Sequence, residues 1–442
     1  MPHKTYHNTH AHCFTIDHVP DNFAKGLIWF YFLFPIRWLK KHKAIQWIIK
    51  MLNKRVVLII IKFVAPNTSI DKSLNRLLSF IRFFDVAKKQ QEMIDLLMGY
   101  YPPHTRFVLL TMDMEFMGAG KPIHNFQNQI DELAIIKSNA TYTDLIHPFV
   151  FADPRRKKVN EIVIDSIEQK KFTGIKIYPA LGYFPFDKRL KAIYEYALEY
   201  DLPLTTHCIA GVVFYRGSKE QAFDNTTHHP IAKKQLLYGK KGIDFTLNFT
   251  HPLNFNCLMD INILRNYWGE DAPDFRNLKM CIGHFGGEDE WNNYMTNPWL
   301  PAYNAPTGGS LNIENAWFDE TDKDYKIVRK AYSWFSIICD MMRKFPKMYA
   351  DISYTISDDR TFPLLKLLLT SDYYNQTCDG HPSIRSRILF GTDFFVVSKA
   401  GAEREMSIKL RSALIITLPI RHIYRPKLRS FINVIQSLYI HL

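Results

Sequence analysis

The chain has 442 residues and 47% of them are hydrophobic, enough to bury the core of a barrel of ~250 residues with insertions. Its formal net charge is +13, yet the excess is local: nine Lys/Arg and no acid lie between Asp21 and Asp71, and six more with no acid follow Glu405. The remaining body is close to neutral, which argues against a nucleic-acid partner, and the absence of repeats or low-complexity tracts excludes solenoid and disordered classes.

Eight short apolar runs read as strands, at 5–10, 105–111, 145–151, 174–178, 204–207, 278–283, 348–352 and 388–391. Most are apolar on both faces, as buried parallel strands are. Helical stretches fall between them at 125–139, 159–171, 188–200, 252–268 and 322–344. Asp187 reads as the N-cap of the third, and Thr250 or His251 stands at the start of the fourth. Alternating strands and helices predict a parallel sheet with helical crossovers, and eight strands predict an α/β fold closed as a (β/α)8 TIM barrel. One barrel domain is expected over 1–412. Within it lie a basic, apolar helical insertion at 20–100 after strand one, a second insertion at 209–275 after strand five, and a loop at 288–320. The tail, 413–442, is atypical: it has no acid, and Pro419 and Pro426 interrupt it.

The active face of such a barrel is formed by the C-terminal ends of its strands. His10 and His12 end the first, His207 the fifth, His284 the sixth and Asp393 the eighth. Residues two apart in a strand share a face, so His10 and His12 can aim at one point. Imidazoles with a carboxylate suit a divalent metal, zinc first, with Mn, Fe or Co accepting the same donors. Such an ion lowers the pKa of water from 15.7 to about 7 and polarises a carbonyl. Asp393 can then accept the water's proton, and His284 can activate the water or steady an oxyanion. Taken singly, each histidine reads more simply as a hydrogen-bonded core residue, and Asp393 as a helix cap. Their order along eight strands favours the metal.

Five motifs carry a resemblance: His10-Ala-His, Gly174-Ile-Lys-Ile-Tyr-Pro, Thr206-His-Cys, Gly283-His-Phe-Gly-Gly and Phe390-Gly-Thr-Asp. Over about residues 5–405 the chain resembles the amidohydrolase superfamily, in particular the amidohydrolase-related branch that includes enzymes similar to aminocarboxymuconate-semialdehyde decarboxylase. The resemblance implies a metal-dependent barrel enzyme in which His10, His12, His207 and Asp393 are ligands and His284 is the acid/base residue. His-Ala-His stands where some decarboxylases of the branch carry Glu-x-His, which leaves ligand count and chemistry open. The expected reaction is hydrolysis, with metal-activated water attacking an amide, ester or lactone carbon of a small molecule. Non-oxidative decarboxylation is the alternative, and a membrane-associated binding protein without turnover is the third reading.

Lys176 sits in the apolar fourth strand. In binuclear relatives a carbamylated lysine on that strand bridges two metals; the plainer readings are a contact to a substrate carboxylate or to an inner aspartate. Tyr178 and Tyr183 either line the pocket or pack its loop. Arg155 or Arg156 could grip a substrate carboxylate. Cys13, Cys208 and Cys281 adjoin ligand candidates and are read as packing residues on the opposite face. His228-His229 reads as a solvated loop.

Six cysteines without framework spacing, and an N-terminus without a signal peptide's apolar core, predict reduced thiols in a cytoplasmic protein. Residues 26–62 combine an apolar run, too short to span a bilayer, with Lys40, Lys43, Lys50 and Lys54 on one helical face. That pattern fits a cap over the barrel or a helix lying at a membrane surface. A homo-oligomer is left open.

Overall fold

The computed structural model describes residues 6–23, 88–209, 213–218, 242–296, 333–375, 380–395 and Glu403. Most of the 20–100 insertion with its 26–62 arm, His228-His229, most of the 288–320 loop, the first part of the 322–344 helix and the 413–442 tail lie outside the described residues.

Eight strands follow one another around a single sheet: β1 His7–His12, β2 Arg106–Leu110, β3 Ile146–Phe151, β4 Gly174–Lys176, β5 Leu204–Thr205, β6 Met280–Ile282, β7 Met348–Asp351 and β8 Ile388–Leu389. Each pairs in parallel with the next. The sheet returns on itself just beyond β8. Thr9 N–H donates to Phe390 O at 2.8 Å, Asp393 N–H to His10 O at 2.9 Å, and His12 N–H to Phe394 O at 2.9 Å. The chain is therefore the eight-stranded α/β barrel its alternation predicts. Side chains on both faces of the strands are buried, Phe107 to Leu110 and Phe149 to Phe151 among them, as a sheet covered by helices requires.

Ten helices of two turns or more, among the described residues, surround it: α1 Gln90–Gly99, α2 Phe126–Ser138, α3 Val159–Glu168, α4 Lys191–Glu199, α5 Gly242–Thr250, α6 Pro252–Met259, α7 Ile261–Trp268, α8 Glu288–Thr296, α9 Trp334–Lys344 and α10 Phe362–Thr370. Local chemistry sets their starts. Asn125 accepts from Asn128 N–H at 2.9 Å and caps α2. Asp187 caps the 3-10 turn Lys188–Leu190 that leads into α4, and His251 caps α6 by accepting from Leu253 N–H.

Three expectations change. The helix predicted over 252–268 is two helices, because Asp260 is a better cap than a helix interior residue: its carboxylate accepts from Asn262 N–H at 3.1 Å and Ile263 N–H at 3.4 Å. The stretch read as loop from 288 opens with α8. The first strand runs to His12 rather than 10, so both histidines lie in it. No helix among the described residues is long and apolar enough to cross a membrane.

Candidate metal centre

His10 and His12 leave β1 on one side, as residues two apart must, and both are buried. Their Nε2 atoms converge on Asp393 Oδ1, at 3.6 Å from His10 and 3.2 Å from His12. These three ligand atoms all lie within 4.8 Å of one another, a spacing that one cation can bridge. Asp393 arrives from beyond β8 with a left-handed backbone, φ 59°, held by its N–H bond to His10 O. The approach is close. A Cβ on Gly391 would stand 2.6 Å from His10 Cβ, so only glycine lets the last strand lie this near the first.

Hydrogen bonds fix the tautomer of each imidazole, by a chain of elimination. His12 Nδ1 lies 3.1 Å from Leu110 O, a carbonyl that can only accept, so Nδ1 carries the proton. His10 Nδ1 lies 2.9 Å from Asp351 Oδ2. Burial drives the His10 pKa down to about 3 against the pull of Asp351, while Asp351, despite its own burial, is held below the usual carboxylate range first by His10. The pair is thus a neutral imidazole donating to a carboxylate, and His10 Nε2 is a bare lone pair. It is buried and has no hydrogen-bond partner.

The same logic runs through the third and fourth histidines. His284 Nδ1 is 3.1 Å from Ser353 O and 2.9 Å from Ser353 Oγ, which itself donates to Asp351 Oδ1. Nδ1 therefore holds the His284 proton, and Nε2 accepts from His207 Nδ1 at 3.0 Å. Both rings are kept neutral, since burial pushes their pKa values down. His207 Nε2 is left as a second buried lone pair without a partner.

An orphaned buried imidazole nitrogen loses hydration without compensation. One proton on His12 would satisfy the contact to Asp393, but not His10 Nε2 or His207 Nε2. A divalent cation suits such nitrogens together with His12 Nε2 and the Asp393 carboxylate. Asp393 is suited to it: burial raises its pKa, but the neighbouring imidazoles of His12, His284 and His10 bring it below the ordinary value, so it is ionised. Among the described residues, two three-residue groups are tight enough to share an ion, His10, His12, Asp393 and His10, His284, Asp351, and His207 stands outside both. In the second group the carboxylate already accepts from His10, and its other oxygen accepts from His284 N–H at 3.1 Å. Asp351 thus supports two histidines rather than competing for the ion.

His284 is aimed by strain. Residues 283–286 leave β6 in a tight turn, with φ 64° at His284 and 44° at Phe285. Thr355 Oγ1 donates to His284 O at 2.5 Å and Gly287 N–H donates to it at 2.8 Å, which hold the turn. A Cβ on Gly283 would come within 2.3 Å of Thr206 O, so glycine is required where β5 and β6 press together under the histidines.

A cleft opens above these groups. His12, His207, His284 and Asp393 form its floor, and Phe14, Met112, Tyr178, Ile209, Val213 and Tyr354 its wall. Tyr178 stacks on His207, ring centroids 3.9 Å apart. Tyr183 packs its loop instead: its hydroxyl accepts from Tyr178 N–H at 2.7 Å and donates to Ala152 O at 3.2 Å.

The other singled-out side chains lie elsewhere. Lys176 is fully buried beneath the floor, where Nζ donates to Thr206 O at 3.0 Å. Burial lowers its pKa to about 8 against the fields of Asp351 and Asp393. Arg155 does not line the cleft. It binds Asp153 through two nitrogens at 2.8 and 2.6 Å and Phe116 O at 3.1 Å, with Tyr183 against its face. Arg156 grips Asp113 and Glu115. Both guanidinium groups are engaged by the barrel's own loops. Cys281 departs from its expected place: Sγ is 3.6 Å from Asp351 Oδ2, beside the site. Counting faces back from His284 fails because His284 has already left the strand. Asp351 and Ser353 were missed from sequence; an acid and a serine closing an otherwise apolar strand, at the active face, were the available signal.

No protein-family model matches the chain, and no curated protein matches it. Some solved structures are similar to the chain at low identity. A TIM-barrel protein from Bordetella bronchiseptica is 12% identical over 77% of this chain and 83% of its own, with a TM-score of 0.39. 5-Carboxyvanillate decarboxylase from Sphingomonas paucimobilis is 12% identical over 74% and 76%, at 0.35. 4-Oxalomesaconate hydratase from Rhodopseudomonas palustris is 10% identical over 98% and 97%, at 0.39. At these identities and scores nothing about chemistry follows from the likeness.

Proposed function

We propose that the chain is a metal-dependent hydrolase of the amidohydrolase type, acting on an amide, ester or lactone, with one divalent ion, zinc first, held by His10, His12, His207 and Asp393. The observation that carries this reading is three buried imidazoles, each with its Nδ1 proton committed elsewhere: His10 and His207 have Nε2 atoms without a hydrogen-bond partner, and the Nε2 atoms of His10 and His12 lie 3.6 and 3.2 Å from the ionised Asp393 carboxylate. A divalent ion there supplies Lewis acidity and lowers the pKa of water.

The protein's own residues do the rest. Asp393, ionised and at the cleft floor, takes a proton from water and returns it to a leaving group. His284 shares its Nε2 with His207, so its first task is to fix that ring; it takes a proton from water only when that bond is exchanged. Asp351 then steadies the imidazolium through Ser353 and the His284 backbone. The apolar wall excludes water and strengthens each of these contacts. Lys176, under the floor, offsets the negative charge of Asp351 and Asp393 rather than meeting substrate.

The decarboxylase alternative draws on the same ion site, and carbon dioxide release from carboxylic acids by metal-loaded protein distinguishes it. Hydrolysis predicts acid release from neutral esters or amides, lost in Asp393→Asn with metal content retained in part. Inactivity of metal-loaded protein across esters, lactones and amides contradicts the hydrolase reading. The arm at 26–62 is proposed, on its sequence alone, to meet an anionic membrane surface; equal soluble recovery with and without anionic vesicles would end that proposal.

A further inference from the structure

The wall of the cleft differs in kind from its floor. Phe14, Met112, Ile209 and Val213 come from the loops after β1, β2 and β5, and with Tyr178 and Tyr354 they surround the histidines. No Lys or Arg among the described residues lines the cleft. The basic side chains near it are placed elsewhere: Lys176 donates to Thr206 O, Arg216 packs over the rings of Phe23 and Phe214, and Arg155 and Arg156 bind Asp153 and Asp113 with Glu115. Ile209 is placed with little freedom: a Cβ on Gly287 would come within 2.4 Å of its Cδ1 and Cγ1, so the glycine lets this side chain lie down over the turn that carries His284. Phe14 is braced by Phe395, rings 4.9 Å apart.

A substrate that enters this collar must give up its hydration there. An ionised carboxylate beyond the reacting group would be buried with no cationic partner among the described residues of the collar, which is strongly unfavourable. An apolar group would gain the free energy of leaving water in proportion to the area it covers. Resting on the metal-site reading above, we infer that the substrate is an acyl compound whose body beyond the reacting carbonyl is uncharged and apolar, aromatic or branched aliphatic, rather than a di- or tricarboxylic acid.

Three hydroxamic acids test this, because each offers the same metal-binding head. Acetohydroxamic acid carries no body, 4-methylbenzohydroxamic acid an apolar one, and 4-carboxybenzohydroxamic acid an anionic one. Binding to the full-length protein loaded with Co(II) is read by the change in the cobalt visible spectrum and by calorimetry, independently of turnover. The expected result is that the 4-methyl compound binds at least about tenfold more tightly than the 4-carboxy compound and more tightly than acetohydroxamic acid. Ile209→Lys should narrow or reverse the first preference. Equal or tighter binding of the 4-carboxy compound by the unaltered protein overturns the inference while leaving the metal site standing. Failure of the protein to hold cobalt at all removes the metal reading and this inference with it.

Discussion

His10 Nδ1 and Asp351 Oδ2 lie 2.9 Å apart, with both side chains fully buried and 341 positions of sequence between them. The first strand's ligand candidate is thereby oriented by the seventh strand. A carboxylate behind a metal-binding imidazole fixes its tautomer and raises its basicity. Asp351→Asn keeps the shape and removes the charge, and is expected to weaken metal affinity about 10- to 100-fold, read by competition with a chelator. Unchanged affinity would show that the pair serves folding alone.

Gly283→Ala should be costly although it adds one methyl group. The new Cβ would meet Thr206 O, a backbone atom that also accepts from Lys176 and cannot swing aside. A loss of about 1–3 kcal/mol, or failure to fold, is expected in chemical denaturation. A variant as stable as the parent would contradict the close packing of β5 on β6.

Arg155→Ala separates a structural arginine from a substrate-binding one. It would leave the fully buried Asp153 without its partner, an omission expected to cost about 3–5 kcal/mol. Metal content should be unchanged. A large rise in KM with full stability would instead return Arg155 to the substrate.

Stability of the metal-free protein should fall in acid. Burial lowers the pKa values of His7, His18 and His147 to about 4 from the ordinary 6.5. Between pH 6.5 and 4 the unfolded chain binds these protons and the folded chain does not. Each histidine therefore removes stability as pH falls through that window, by up to about 1.4 kcal/mol per pH unit. Urea titrations at pH 7 and pH 5 measure it, and a flat profile would contradict the neutral, buried state of these rings.

Glu403 works in the opposite sense. Burial raises its pKa to about 7 from 4.5, against hydrogen bonds from Thr392 at 2.6 Å and Tyr101 at 2.5 Å. Its folded form binds the extra proton, so its contribution is complete below pH 4.5 and lost as pH rises through 7. Glu403→Gln should remove that loss between pH 4.5 and 7, seen as a shallower decline in melting temperature over this window.

The barrel was legible because buried parallel strands write themselves as short apolar runs, and because His10, His12, His207, His284 and Asp393 close such runs in order. What resisted reading was contact between distant strands. Nothing local ties Asp351 to His10, and only the closed sheet brings the seventh strand behind the first. The roles of Arg155 and Arg156 were hidden for a related reason: Asp153 lies two residues from Arg155, but Asp113 lies 43 positions from Arg156 beyond another strand, and sequence does not say which way a loop arginine turns. Asp260 was not read as a cap, because the apolar periodicity on either side of it reads as one helix.

Metal stoichiometry tests the central claim most directly. The protein is loaded with Zn(II), passed over a desalting column and assayed for metal by mass spectrometry, beside His12→Ala and Asp393→Ala checked for folding by circular dichroism. One ion per chain in the parent and much less than one in both folded variants is the expected result. A parent without stoichiometric metal, or folded variants that keep the ion undiminished, would contradict the convergence of these side chains on one cation.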